Sequence, residues 1–144
     1  MKKIGYYLLF LGVMACGSGA SNTSETKKSP NAFEVIYKST YNGLPQKKYY
    51  VIDNNEDLKV LFSQMKEDQV PAIDFKDSNV VVLNMGQKNT GGYDVYPEKI
   101  LDEGNTIVLT IKEVSPGPGD MVTTALTNPV CVVKVNSKKE IIIK

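Results

Sequence analysis

The chain has 144 residues, with 17 basic and 16 acidic side chains and a formal net charge of +1. It contains no histidine and no arginine, which excludes histidine-dependent triads, zinc sites and haem sites, as well as the two-point arginine contacts used to bind phosphates. An apolar content of 42% and a charged content of 23% are ordinary for a globular protein, and the nearly balanced charge gives no reason to expect a nucleic-acid partner.

The amino terminus has the pattern of an export signal. A basic start, Met1–Lys3, precedes an apolar stretch over 4–13 that is too short to span a membrane as a permanent helix. The stretch ends in Val13-Met14-Ala15-Cys16, which resembles the lipobox of bacterial lipoproteins. That resemblance implies that residues 1–15 are a cleaved signal peptide. It also implies that Cys16 carries acyl chains such as palmitate, which anchor the exported protein in the cell envelope, at the outer membrane if the cell has two membranes.

A polar segment follows the anchor. Residues 16–31 are rich in Gly, Ser, Thr, Asn and Lys, so they cannot bury much apolar surface and are predicted to form a flexible tether. Residues 32–144 are then predicted to form a single domain. Lipidation of Cys16 would leave Cys131 without an intrachain partner, so no disulfide is expected.

The first part of this domain predicts two strands and a helix. The stretch from Phe33 to Tyr41 alternates apolar and polar residues, Asn42-Gly43 is typical of a hairpin turn, and Lys47 to Ile52 is expected to return as the second strand. The stretch 53–56 has the form of a helix start, with a capping side chain followed three residues later by an acid. The helix would present one apolar face, composed of Leu58, Leu61, Phe62 and Met65.

The rest of the chain is predicted to be rich in strands. Val80 to Leu83 is a continuous apolar run, as expected of a central strand covered on both faces. Further strands are predicted at 93–96, 106–114, 122–126, 130–135 and 140–143. The expected fold class is α+β, a mostly antiparallel sheet of about seven strands packed by one helix, with a two-sheet β-sandwich as the alternative.

Three candidate chemical sites have simpler structural explanations. Asp53, Asn55 and Asp57 have the spacing of a calcium loop, but the glycine and glutamate that such a loop requires later are missing, and a helix cap explains these residues. Cys131 lies among valines and is expected to be buried rather than nucleophilic. Asp102 and Glu103 lie at a predicted turn, where acids are usually solvated. We therefore expect no enzyme activity, no metal and no cofactor.

Two glycine-rich loops remain as candidate binding sites. The first runs through Thr90-Gly91-Gly92-Tyr93, and the second is the Pro116-Gly117-Pro118-Gly119 segment. Prolines restrict the backbone and glycines permit sharp bends, so each loop is either a tight connection or a preorganised surface for a protein partner.

The two loops also carry a resemblance to a known family. The segment from Val80 to Tyr93, the Pro116–Gly119 segment and the Thr127-Asn-Pro-Val130 segment occur in the order and spacing of the carboxy-terminal domain of PrcB-family protease-complex subunits. The Thr90–Tyr93 turn is also loosely similar to the inhibitory loop of chagasin-type protease inhibitors, although the proline before the threonine is absent.

The PrcB resemblance implies a non-catalytic lipoprotein that stabilises or assembles with a secreted protease. Thr90–Tyr93 and Pro116–Gly119 would then contact the protein partner, and the lipid at Cys16 would provide the membrane contact. Two alternatives remain open at this point: a peptidase inhibitor that uses the Thr90–Tyr93 loop, and a structural envelope lipoprotein whose loops only complete the fold.

Overall fold

A computed structural model describes residues 32–144, which fold into a helix and two stacked β-sheets. The signal peptide, the lipidation site and the tether predicted above lie outside the described residues. Within the described part, no helix is long and apolar enough to cross a membrane. The elements in chain order are β1 (Phe33–Ser39), β2 (Lys48–Ile52), α1 (Asn55–Gln64), β3 (Asn79–Asn84), β4 (Asp94–Asp102), β5 (Thr106–Val114), β6 (Val130–Val135) and β7 (Glu140–Ile143).

The central layer is a four-stranded antiparallel sheet, called sheet 1, with the order β1-β6-β3-β2. Every residue of β3 is buried, because one face of sheet 1 packs against α1 and the other against the second sheet. Val80 and Val82 face the helix, and Val81 and Leu83 face the second sheet. The expectation of a central strand covered on both faces is confirmed.

The helix begins at a side-chain cap. The Asn54 side-chain oxygen accepts a hydrogen bond of 2.8 Å from the Asp57 N–H, so the capping residue is Asn54, within the expected 53–56 segment. Leu58, Leu61 and Phe62 are buried against sheet 1, as the helical spacing predicts. The helix explanation of the calcium-like spacing is therefore supported by the hydrogen bonds of the cap.

The outer layer is a three-stranded sheet, called sheet 2, with the order β4-β5-β7, in which β5 and β7 are parallel and the other pair is antiparallel. Ile107 and Leu109 of β5 pack on Val133 and Cys131 of sheet 1. The architecture is the expected α+β class of seven strands, mostly antiparallel, with one helix among the described residues.

The Asn42-Gly43 hairpin prediction is wrong. β1 and β2 lie at opposite edges of sheet 1 and do not pair with each other. The strands that separate them, β3 and β6, are almost wholly apolar and take the inner positions, where both faces are covered. Gly43 instead allows its backbone to lie close to Asn128, because a Cβ at Gly43 would be 2.5 Å from the Asn128 carbonyl oxygen.

The predicted strand at 122–126 is also wrong. Residues 115–129 form one long connection between β5 and β6, and 123–126 are exposed. The alternation of Val122, Thr124 and Leu126 is typical of a strand, but these residues pair with no strand of either sheet. An isolated antiparallel β-bridge forms nearby, between Lys88 and Thr127.

The topology gives the molecule two distinct ends. One end, called here the loop end, is formed by the connections 40–47, 85–93 and 115–129. Ala32 lies at the opposite end, where its carbonyl oxygen accepts a hydrogen bond from the Asn136 N–H beyond the last residue of β6. The six residues of β6 separate the two ends by about 17 Å.

Candidate functional site

The two glycine-rich loops adjoin at the loop end. The Gly91 N–H donates to the Thr123 carbonyl oxygen at 3.0 Å, and the Thr127 hydroxyl donates to the Thr90 carbonyl oxygen at 2.8 Å. Lys88 and Thr127 exchange two backbone hydrogen bonds of 2.8 and 2.9 Å. The loops therefore form one continuous surface, which the sequence did not establish.

The glycines of the first loop serve this contact. Gly91 is buried, and a Cβ there would lie 2.5 Å from the Thr123 hydroxyl oxygen. Gly92 has φ +86° and lies against Pro116, whose Cβ would be 3.2 Å from a Cβ on Gly92. Gly91 and Gly92 therefore hold the two loops together, and of the two only Gly92 is exposed to a partner.

Thr90 and Tyr93 are both half-buried. The Tyr93 ring packs on the core between the sheets, and the Lys88 ammonium lies 5.2 Å from its centroid. A cation over an aromatic face stabilises the ring in place. Tyr93 therefore presents one edge at the surface and belongs mainly to the packing of the loop.

The second loop is the more accessible part of the site. Pro116 is half-buried against Gly92, whereas Gly117, Pro118 and Gly119 are exposed. The Asp120 carboxylate accepts a 2.6 Å hydrogen bond from the Gly117 N–H, and the Asp120 N–H donates to the Gly117 carbonyl oxygen. These bonds close the Pro-Gly segment into a fixed turn that projects from the loop end.

The prediction from sequence missed the apolar side chains around this turn. Met121 is fully exposed, and Leu126 and Tyr41 are each 58% exposed. Tyr41 lies in the connection that hydrogen-bonds to Asn128, so it belongs to the same end of the molecule. The length of the 115–129 connection was the available signal, because connections this long without secondary structure are usually functional.

The described residues offer little for catalysis at this end. Cys131 is completely buried between the sheets, and burial raises the pKa of its thiol to about 11. Among residues 32–144, no cluster of three or more cysteine or acidic side chains could hold a metal ion. What the loop end presents is a fixed backbone turn, with exposed apolar side chains at the same end of the molecule.

The comparison with protein families matches residues 79–136 to the family described as PrcB C-terminal. The match is a similarity between this segment, which is less than half of the chain, and the PrcB C-terminal family. The matched segment runs from the first residue of β3 to just past β6, so it contains both loops, the β4–β5 hairpin and the two inner strands of sheet 1. No curated protein and no solved structure gives a significant match to the chain.

Proposed function

We propose that the chain is a non-catalytic accessory subunit, anchored in the cell envelope through lipid at Cys16, that assembles with a secreted protease and stabilises it. The family of the 79–136 segment supports a protease complex as the setting. The loop end would be the contact surface, with Thr90, Gly92 and the exposed turn Gly117–Gly119 as its polar and backbone part.

The single observation that carries the proposal is the joining of the two loops into one preorganised surface. A loop that is already ordered loses little conformational entropy when it binds, so more of the contact free energy appears as affinity. Exposed methionine, leucine and tyrosine side chains are typical of the central part of protein interfaces. Met121, Leu126 and Tyr41 supply them here.

The position of Ala32 keeps the tether attachment away from the proposed contact surface. A tether of about fifteen residues has a typical reach of about 20 Å. Because the tether would join the domain at the end opposite the loops, it would leave the loop end free to meet a protease near the membrane.

The geometry disfavours the inhibitor alternative. An inhibitory loop has to enter an active-site cleft, but Gly91 is buried and Thr90 is held by Thr127. Tyr93 is packed on the core below the loop. The first loop therefore lies flat on the second and lacks the free projection that insertion requires.

The test is affinity purification of the full chain from the cells that produce it, followed by identification of the copurified peptidase. Met121→Glu places a charge on the proposed surface and is expected to reduce the copurified peptidase by at least about tenfold, since a charge buried without a partner in the interface is costly. Val60→Glu is the matched control, because Val60 is 54% exposed on the outer side of α1. It should leave the peptidase yield unchanged.

The same cells distinguish the accessory role from inhibition. Deleting the gene should lower the amount of active protease if the chain stabilises it, and should raise protease activity if the chain inhibits it. Equal copurification by both glutamate variants would contradict the proposed surface, and unchanged protease levels after deletion would contradict the stabilising role.

A further inference from the structure

The four sheet edges of the domain are not equally protected against pairing with another strand. β1 is interrupted by a bulge between Val35 and Tyr37, and β4 carries both a bulge and Pro97. Bulges and prolines are the usual devices that block an edge. β7 is only four residues long, whereas β2 pairs with β3 over five residues without a register shift. β2 is therefore the regular edge of the described domain.

The free hydrogen-bonding groups of β2 can be assigned from its neighbours. Alternate residues of an inner antiparallel strand direct their backbone groups to opposite sides. The Met85 N–H donates to the Pro129 carbonyl oxygen on the β6 side, so even-numbered residues of β3 point to β2, and Val82 pairs there with Tyr50. The backbone N–H and C=O groups of Tyr49 and Val51 consequently point outward at the open edge.

A cleft of about 480 Å³ lies beside this edge on the helix side. Its lining includes Tyr50, Leu44 and Gln64. Lys48 stands at the cleft with its ammonium 5.1 Å from the centroid of the Tyr50 ring, and among residues 32–144 it has no carboxylate within salt-bridge distance. The cleft therefore combines an apolar and aromatic wall with a positive charge that forms no ion pair with the described residues.

A second hollow, of about 310 Å³, borders the next residue of the edge on the opposite face of sheet 1. It is lined by Val51 and Ile141 together with polar residues of the β6–β7 connection. Successive side chains of an extended strand alternate between the two faces of a sheet. One hollow lies beside Tyr50 and the other beside Val51, on opposite faces of the sheet. Two consecutive side chains of a strand added at this edge would therefore each point into one of the hollows.

We propose that β2 is a strand-addition site for an extended segment of a partner protein. The segment hydrogen-bonds to the outward backbone groups of Tyr49 and Val51 and directs an acidic side chain into the helix-side cleft over Lys48. The next side chain, which is apolar, packs on Val51 and Ile141. Main-chain bonds supply affinity in this mode of recognition, and the alternate hollows supply specificity.

The test uses a library of displayed dodecapeptides selected against the full chain purified in detergent. The expected result is a set of peptides with an acidic residue flanked by alternating apolar ones, and slowed hydrogen exchange at the Tyr49 and Val51 amides when they bind. Selection of no peptide, or of peptides that protect only other amides, would overturn the proposal.

Two substitutions sharpen the result. Val51→Pro removes one outward N–H while leaving the β2–β3 bonds in place, and is expected to weaken the selected peptides about tenfold. Val35→Pro is the control, because Val35 is similarly exposed, at 43% against 39% for Val51, on the opposite edge of the sheet. If both prolines weaken binding equally, the site is not β2.

Lys48→Glu leaves the backbone intact and therefore tests the charge even if Val51→Pro fails to fold. It should weaken the binding of acidic peptides by about tenfold or more, and unchanged binding would contradict the assigned occupant.

The site goes beyond the loop-end contact proposed above, and β2 lies outside the matched segment 79–136. Met121→Glu should leave peptide binding unaltered, so failure of either proposal can be recognised separately.

Discussion

Gly92 and Gly104 form a natural pair for testing how individual residues hold the loop end together. Both have positive φ, +86° and +87°, but Gly92 contacts Pro116 and Val122 whereas Gly104 has open space around the position of a Cβ. Alanine at either position costs about 1–2 kcal/mol because of the left-handed backbone. Gly92→Ala should lose more stability than Gly104→Ala in urea unfolding, because Pro116 must also move. Equal losses would contradict the packing of the two loops.

The Cys131 thiol is expected to be unreactive in the folded chain. It is completely buried, and burial raises its pKa to about 11, so little thiolate is present at pH 8. In a Cys16→Ser chain, where Cys131 is the remaining thiol, a disulfide reagent at pH 8 should modify it only after urea is added. Rapid modification of the native chain would contradict its placement between the sheets.

At the scale of elements, Asn84 fastens the connection before β2 to the end of β3. Its side chain accepts a 2.8 Å hydrogen bond from the Leu44 N–H and donates to the Leu44 and Gln46 carbonyl oxygens at 2.9 and 2.6 Å. Asn84→Ala removes all three part-buried hydrogen bonds and should lower the free energy of unfolding by about 1–3 kcal/mol. Asn89→Ala, at an exposed loop position, should change it little in the same urea titration.

The elements also show which features a sequence can predict. The α1 face around Leu58 and the β5 strand follow from local periodicity, and both are confirmed. The Asn42-Gly43 hairpin prediction failed because β3 and β6, which are distant in sequence, lie between β1 and β2 in the sheet. The local pattern of residues around Asn42 carries no information about those strands. Thr90 and Pro116 could be selected as loop residues from their glycine and proline neighbours. The contact between the two loops depends on a hydrogen bond to the Thr123 carbonyl oxygen and one from the Thr127 hydroxyl, which only the folded chain reveals.

At the scale of the whole molecule, two ion pairs join the sheet 1 side to sheet 2 at the rim, and another joins the β6–β7 connection to β4. Lys38 pairs with Asp94 at 2.7 Å, Lys47 with Glu113 at 2.7 Å, and Lys139 with Asp102 at 2.6 Å. Hydrogen bonds from Lys47 and Tyr49 lower the pKa of Glu113, and those from Lys139 and the Gly104 N–H lower the pKa of Asp102. The sheets are thus held by apolar packing at the centre and by charge at the edge.

These lowered pKa values predict the direction of acid destabilisation. A carboxylate with a lowered folded-state pKa adds stability above its unfolded pKa, near 4, and this stability is lost as the pH falls through the folded pKa. Melting temperature should therefore fall between about pH 5 and pH 2. Glu113→Gln should reduce the slope of that fall. A slope that is unchanged in Glu113→Gln would show that the Lys47–Glu113 pair contributes nothing to the coupling of the sheets.

The loop end as a protein contact is the central claim, and site-specific photocrosslinking tests it most directly. A photoreactive residue is placed at Pro118, on the exposed turn, and in a second chain at Lys59, on the exposed side of α1. Each chain is irradiated in the cells that produce it, and the crosslinked partners are identified by mass spectrometry. We expect position 118 to capture a peptidase and position 59 to capture none. Capture of a peptidase only from position 59, or equally from both positions, would contradict that claim.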